Sequence, residues 1–187
     1  MNNNNAFPYR AYAMEYGTFL GIAWTAVFFL FIATIRTASD LYATLAFFAF
    51  LSLAIIPFLF AWRIKQLQGK GESLGILRGC LFSFNLFMFA SLFTGACEYA
   101  YFAFFDHGTF VDSFMKIYFN PEIANVYKTA GLNDLYGEAK TGLMQFGNLS
   151  PYEKAGSFFT FSFYTSLFFI LPVGALASLK SSRKIQA

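Results

Sequence analysis

A chain of 187 residues that is 57% hydrophobic, 22% aromatic and only 12% charged is long enough for one domain but is not composed like a water-soluble one. Soluble chains carry about 25% charged residues, and the 28 Phe and 11 Tyr of this chain exceed what so small a core can hide from water. The formal net charge of +3 comes from basic clusters between apolar stretches, which excludes a nucleic-acid-binding face.

Along the chain, a polar run from Met1 to Asn5 precedes four long apolar stretches, at residues 12–35, 41–62, 76–105 and 151–179. Each supplies the roughly 20 residues a helix needs to cross about 30 Å of hydrocarbon. Unbroken apolar runs, without the ten-residue alternation of barrel strands, make them helices. The first exceeds the apolar length of a signal peptide and only Arg10 precedes it, so it reads as a retained span. The connection from Arg36 to Asp40 is so short that the first two helices form an antiparallel hairpin. Pro57 falls inside the second helix, removes a backbone donor and predicts a kink.

Residues 106–150 form the one sizeable segment outside the spans, too long for a structureless loop. Phe110, Phe114, Ile117 and Tyr118 recur at helical spacing. Asn120-Pro121 offers an N-cap and a first-turn proline, followed by Ile123, Val126, Tyr127 and Ala130. After Gly131, Leu132, Leu135, Tyr136, Leu143 and Met144 share another face. Two or three short amphipathic helices on the outer face are therefore predicted. The last span is predicted to begin at Pro151, where Ser150 and Glu153 have the spacing of a capping box.

Charge sets the predicted orientation. Arg10, then Arg63, Lys65, Lys70 and Arg78, then Lys180, Arg183 and Lys184 face a single acid, Glu72, on one side. Segment 106–150 and its flanks carry more acids than bases. By the positive-inside rule both termini are cytoplasmic. The fold class expected is thus an all-α integral membrane protein, a single membrane domain over 1–187 with four transmembrane helices, N-in and C-in, in a bacterial cytoplasmic (inner) membrane. Cys80 and Cys97 lie about 25 Å apart along one helix and cannot bond. The single His107 beside Asp106, with no Cys/His cluster, gives no metal signature. No phosphate loop, nucleophile elbow or dinucleotide fingerprint is present, so no catalytic residue and no cofactor are assigned.

The fragments Tyr16-Gly17-Thr18-Phe19-Leu20-Gly21-Ile22, Trp62-Arg63 through Gly69-Lys70 to Leu77-Arg78-Gly79, Glu98-Tyr99-Ala100-Tyr101-Phe102 with Phe105-Asp106, and the Ser150-Pro151 start of a small-residue, Lys-terminated last helix together resemble the domain-of-unknown-function family 4199 of Bacteroidota. The resemblance spans nearly the whole chain and implies four transmembrane helices in the cytoplasmic membrane, with no established activity. Segment 106–150 is longer and richer in glycine than the family pattern.

Two sets of residues stand out. Glu98 is an acid inside the third span, costly there unless it faces the bundle interior, pairs or is neutralised, with Arg36 or an outer-segment lysine as partner. Gly17 and Gly21 on the first helix, and Gly71, Gly75, Gly79 and Ser83 leading into the third, repeat every fourth position and let helix backbones approach closely, within the chain or against another subunit. The function expected is a non-enzymatic membrane subunit that scaffolds or regulates a larger cell-envelope complex, with membrane lipids and other subunits or a second copy as partners. The alternative is a small carrier or lipid-handling protein that uses Glu98 and the aromatic surfaces, assisting a membrane glycosyltransferase.

Overall fold

The computed structural model describes residues 8–68 and 74–180. They form seven helices and no strand: α1 (Tyr9–Thr37), α2 (Asp40–Leu67), α3 (Ile76–Phe104), α4 (Thr109–Tyr118), α5 (Pro121–Thr129), α6 (Asn133–Gly147) and α7 (Pro151–Ser178). Helices α1, α2, α3 and α7 have 28 or 29 residues and are apolar enough to cross a membrane; their length and composition are those of a multi-pass membrane protein. All four coincide with the predicted stretches. The differences are at ends, the larger ones being that α1 begins earlier, at Tyr9, and that α2 continues to Leu67. Backbone hydrogen bonding carries the helix through polar turns that an apolar run leaves out.

Arg36 at the end of α1 reaches the carbonyl of Phe105 just past α3, so these two helices run parallel. Gln68 just past α2 meets Ala177 near the end of α7, so those two run the opposite way. The result is an up-down-up-down bundle with α4, α5 and α6 capping one end. Helix α3 sits between α1 and α7. Leu20, Phe82, Leu86, Phe87, Ala90 and Val173 form the main core. Phe28, Ile32, Ile35, Tyr101, Phe102 and Phe110 form a second cluster toward the cap.

Helix α2 is set apart. It continues unbroken through Pro57, and its buried residues are Pro57, Ala61 and Ile64, all in the half remote from the cap. From Asp40 to Ser52 none is buried, and Phe47, Phe48 and Phe50 are 60%, 64% and 61% exposed.

The end of α2 is fixed by a side chain whose role no local pattern announces. Gln68 is buried; its Nε2 donates to the Ala177 carbonyl at 2.7 Å and its Oε1 accepts from Leu74 N at 3.2 Å. One amide thus ties α2, the start of α3 and the end of α7. Gln68→Ala is expected to cost about 2 kcal/mol, from two buried hydrogen bonds lost together, and to lower the thermal midpoint of the solubilised protein.

The cap follows its sequence signals at both helix starts. Asn120 Oδ1 accepts from Ile123 N at 2.9 Å, with Pro121 at the first position of α5. Ser150 and Glu153 form the complete capping box of α7. Only α4 buries a residue, Phe110; α5 and α6 bury none. These two lean on each other through Tyr136, whose ring packs against Phe119 and Tyr127, and leave Val126 and Leu135 exposed.

Candidate functional site

Among the described residues, Glu98 is the buried acid with a carboxylate oxygen that has no partner, and the glycine-lined seams on either side of α3 set its surroundings. A Cβ added at Gly17 would lie 2.7 Å from the Leu86 carbonyl oxygen, and one at Gly21 would lie 2.8 Å from Phe93 Cβ. These two glycines let α1 lie against α3 backbone to backbone. Gly79 does the same against α7, where its added Cβ would run into the Gly174 carbonyl oxygen. Ser83, one turn on, is fully buried and donates to the Gly79 carbonyl at 3.2 Å. Gly75 departs from the predicted packing role. It stands at the N-cap of α3 with φ +72° and open space around an added Cβ, so it serves the turn, which only glycine adopts without strain. Gly71 lies outside the described residues.

Along the face of α3 directed into the bundle, Ser91, Thr94 and Glu98 follow one another at helical spacing, all buried. Thr94 Oγ1 donates to the carbonyls of Gly21 and Ala90, at 3.2 and 3.0 Å. Glu98 is 3% exposed and its Oε2 has no hydrogen-bond partner. Neither predicted counter-charge reaches it. Arg36 instead spends Nη2 on the Phe105 carbonyl and on Thr109 Oγ1, with its guanidinium over the Tyr101 ring at 5.6 Å. Lys154, the buried lysine of the first turn of α7, lies over the Phe146 ring at 5.9 Å. Helix α1 supplies Thr25, whose Oγ1 is also buried without a partner.

Asp106 is what the sequence reading missed. Taken from the sequence only as one of the acids of segment 106–150, beside His107, it is 2% exposed. Its Oδ1 accepts from Phe110 N at 2.7 Å and from Tyr101 Oη at 3.3 Å, and its Oδ2 accepts from Gly108 N at 3.3 Å. Its backbone carbonyl accepts from Thr109 Oγ1 at 2.7 Å. The signal available was the polar turn Asp106-His107-Gly108-Thr109, an acid placed to cap the helix that follows. Together with Arg36 it knots α1, α3 and α4. Among the described residues no three His, Cys, Asp or Glu side chains gather as metal ligands do, and His107 and Asp112 are exposed.

The phenylalanines divide between core and periphery. Phe82 and Phe87 are core, whereas Phe84 meets Phe163 edge-on toward the outside of the bundle. Phe158 joins Phe28 and Phe102 above Glu98. Cys80 and Cys97 are both unpaired thiols. Among the described residues, what the arrangement offers chemically is one buried carboxylate with an unpartnered oxygen, Glu98, and the hydroxyls around it.

No curated protein and no solved structure matches the chain. A family model described as "Protein of unknown function (DUF4199)" matches residues 15–181, nearly the whole length, and the chain belongs to that family.

Proposed function

We propose that the chain is a non-enzymatic subunit of a bacterial cytoplasmic (inner) membrane, with both termini cytoplasmic and the α4–α6 cap outside, that scaffolds or regulates a larger cell-envelope complex. Arg10, Arg63, Lys65, Arg78 and Lys180 stand with one acid, Glu15, at the end remote from the cap, whereas Lys116, Lys128 and Lys140 of the cap stand among Asp112, Glu122, Asp134 and Glu138; the excess of bases at the first end supports the orientation. The observation that carries the subunit reading is the nakedness of α2. Only 6% of its apolar stretch is buried, against 33%, 39% and 17% for α1, α3 and α7. In lipid, helices associate by close packing, and a span that packs on its own chain along one half keeps the other half for a different helix.

A photo-crosslinking residue at Phe47, Phe50 or Leu51, irradiated in native membranes, is expected to give a protein adduct of one defined mass. The same residue at Phe168 of α7, 83% exposed, serves as the lipid-facing control and is expected to give lipid adducts alone. Lipid adducts alone at all four positions would overturn the proposal.

A further inference from the structure

Among the described residues, three buried side-chain polar atoms lack a hydrogen-bond partner: Thr25 Oγ1, Ser91 Oγ and Glu98 Oε2. All three belong to α1 and α3. Register relates two of them. Thr94 bonds to the Gly21 carbonyl, and the Tyr101 ring meets that of Phe28 edge-on at 5.5 Å. Both pairs have the same sequence offset between two parallel helices, and that offset sets Thr25 opposite Glu98. Gly21 lies one turn below Thr25 and Phe28 one turn above, so neither helix can swing away at this height.

The hydroxyl of Thr25 is also spent unlike those of its neighbours. Thr18, Thr34, Thr37 and Thr44 each donate to the carbonyl four residues back, the usual resting place for a threonine hydroxyl in a helix. The carbonyl four residues before Thr25 belongs to Gly21 and receives Thr94 instead. Buried polar groups are nearly always paired, and a carboxylate in hydrocarbon is costly unless a positive charge meets it. The charged groups of α1, α3 and α7 toward the cap are engaged elsewhere, Arg36 with Phe105 and Thr109, Lys154 with the Phe146 ring, Asp106, just past α3, with the start of α4 and Glu153 with Ser150, while Arg10, Glu15 and Arg78 stand at the opposite ends of α1 and α3. The buried residues of α2 carry no charge.

We propose that Glu98 and Thr25 form a binding site for a small monovalent cation, a proton or an alkali ion, in the seam between α1 and α3. The donor set is oxygen only, a carboxylate and a hydroxyl, with Thr94 one turn below, and such oxygens suit a hard cation held inside a bundle. Ser91, two turns below Glu98 on the same face of α3, is a further buried hydroxyl without a partner. Binding neutralises Glu98 and fastens α1 to α3, whether or not α2 has a partner.

The test uses the full chain in lipid nanodiscs, with thermal unfolding followed at constant ionic strength as sodium replaces choline and, separately, as pH is varied. The wild type is expected to gain stability with sodium or with protons, Glu98→Gln to lose the sodium response or the part of the pH response that belongs to Glu98, and Thr25→Val to need about tenfold more cation for half the effect, the loss of one charge-assisted contact. A sodium response identifies the alkali ion. A pH response, with an infrared carboxylic-acid carbonyl band that Glu98→Gln removes, identifies the proton. A wild type indifferent to both overturns the proposal, as does Glu98→Gln with an unchanged response. Should Glu98→Gln fail to fold, Thr25→Val decides, and a half-effect concentration equal to that of the wild type overturns it.

Discussion

Gly174→Val is expected to separate α3 from α7 and to lower the stability of the solubilised protein by about 3 kcal/mol, the upper end for overpacking a filled interface. The reason is what an added side chain meets. A Cβ at Gly174 would stand 2.8 Å from both Cα and N of Cys80 and 3.0 Å from the carbonyl carbon of Gly79. All three are backbone atoms, so no rotamer change relieves the clash and the helices themselves must move. A Cβ added at Gly79 would likewise run into the Gly174 carbonyl oxygen from the other side. Gly137→Ala on α6 is the contrasting control, because an added Cβ there has open space. The better helix propensity of alanine, worth about 1 kcal/mol at most, is expected to leave that variant neutral or slightly more stable. Thermal unfolding of the two variants beside the wild type measures the difference; equal midpoints for Gly174→Val and wild type would rule out the close contact.

Asp106→Ala is expected to release the cap while leaving the four long helices assembled. The substitution strands the amides of Phe110 and Gly108 and the Tyr101 hydroxyl, and it removes the acceptor that starts α4. Loss of a cap costs about 1 kcal/mol and a buried unsatisfied group about 2 kcal/mol, so about 3 kcal/mol falls on the junction of α3 and α4. Hydrogen exchange is expected to quicken across α4, α5 and α6 and to change little at Leu86 or Val173 in the main core. Asp106→Asn keeps an acceptor oxygen toward Phe110 N and is expected to retain most of the protection. Uniform loss of protection over the whole chain would show instead that the knot holds up the bundle.

The four spans were legible because length and apolarity are local, and the same is true of Asn120-Pro121 and the Ser150–Glu153 box, whose partners lie within three residues. What stayed hidden depends on which helix stands beside which. Gln68 looked like one more polar residue of a loop, yet its partner Ala177 is far along the chain. Arg36 looked like a partner for Glu98, but the end of α1 rises past that level to reach Thr109. Gly75 shares the four-residue spacing of Gly79 and Ser83, yet it precedes the first turn of α3, where the backbone has left the helical region. Spacing identifies a face only where the helix has already begun. For Glu98, the sequence supplied the cost of a buried acid and the demand for a partner. The register that sets Thr25 against it is a property of two helices together.

The tight junction of α3 with α7 has a consequence for biosynthesis. Helices α1 and α2 emerge from the ribosome as an adjoining pair, but α3 acquires its backbone-to-backbone neighbour only when Gly174 has been made, after the whole cap segment. Until then, the Gly79 face of α3 and the Gln68 side chain lack the atoms that complete them. A nascent chain stalled before α7 therefore displays an open small-residue groove, the kind of unfinished surface that insertion chaperones and membrane proteases can read as a sign of incomplete synthesis.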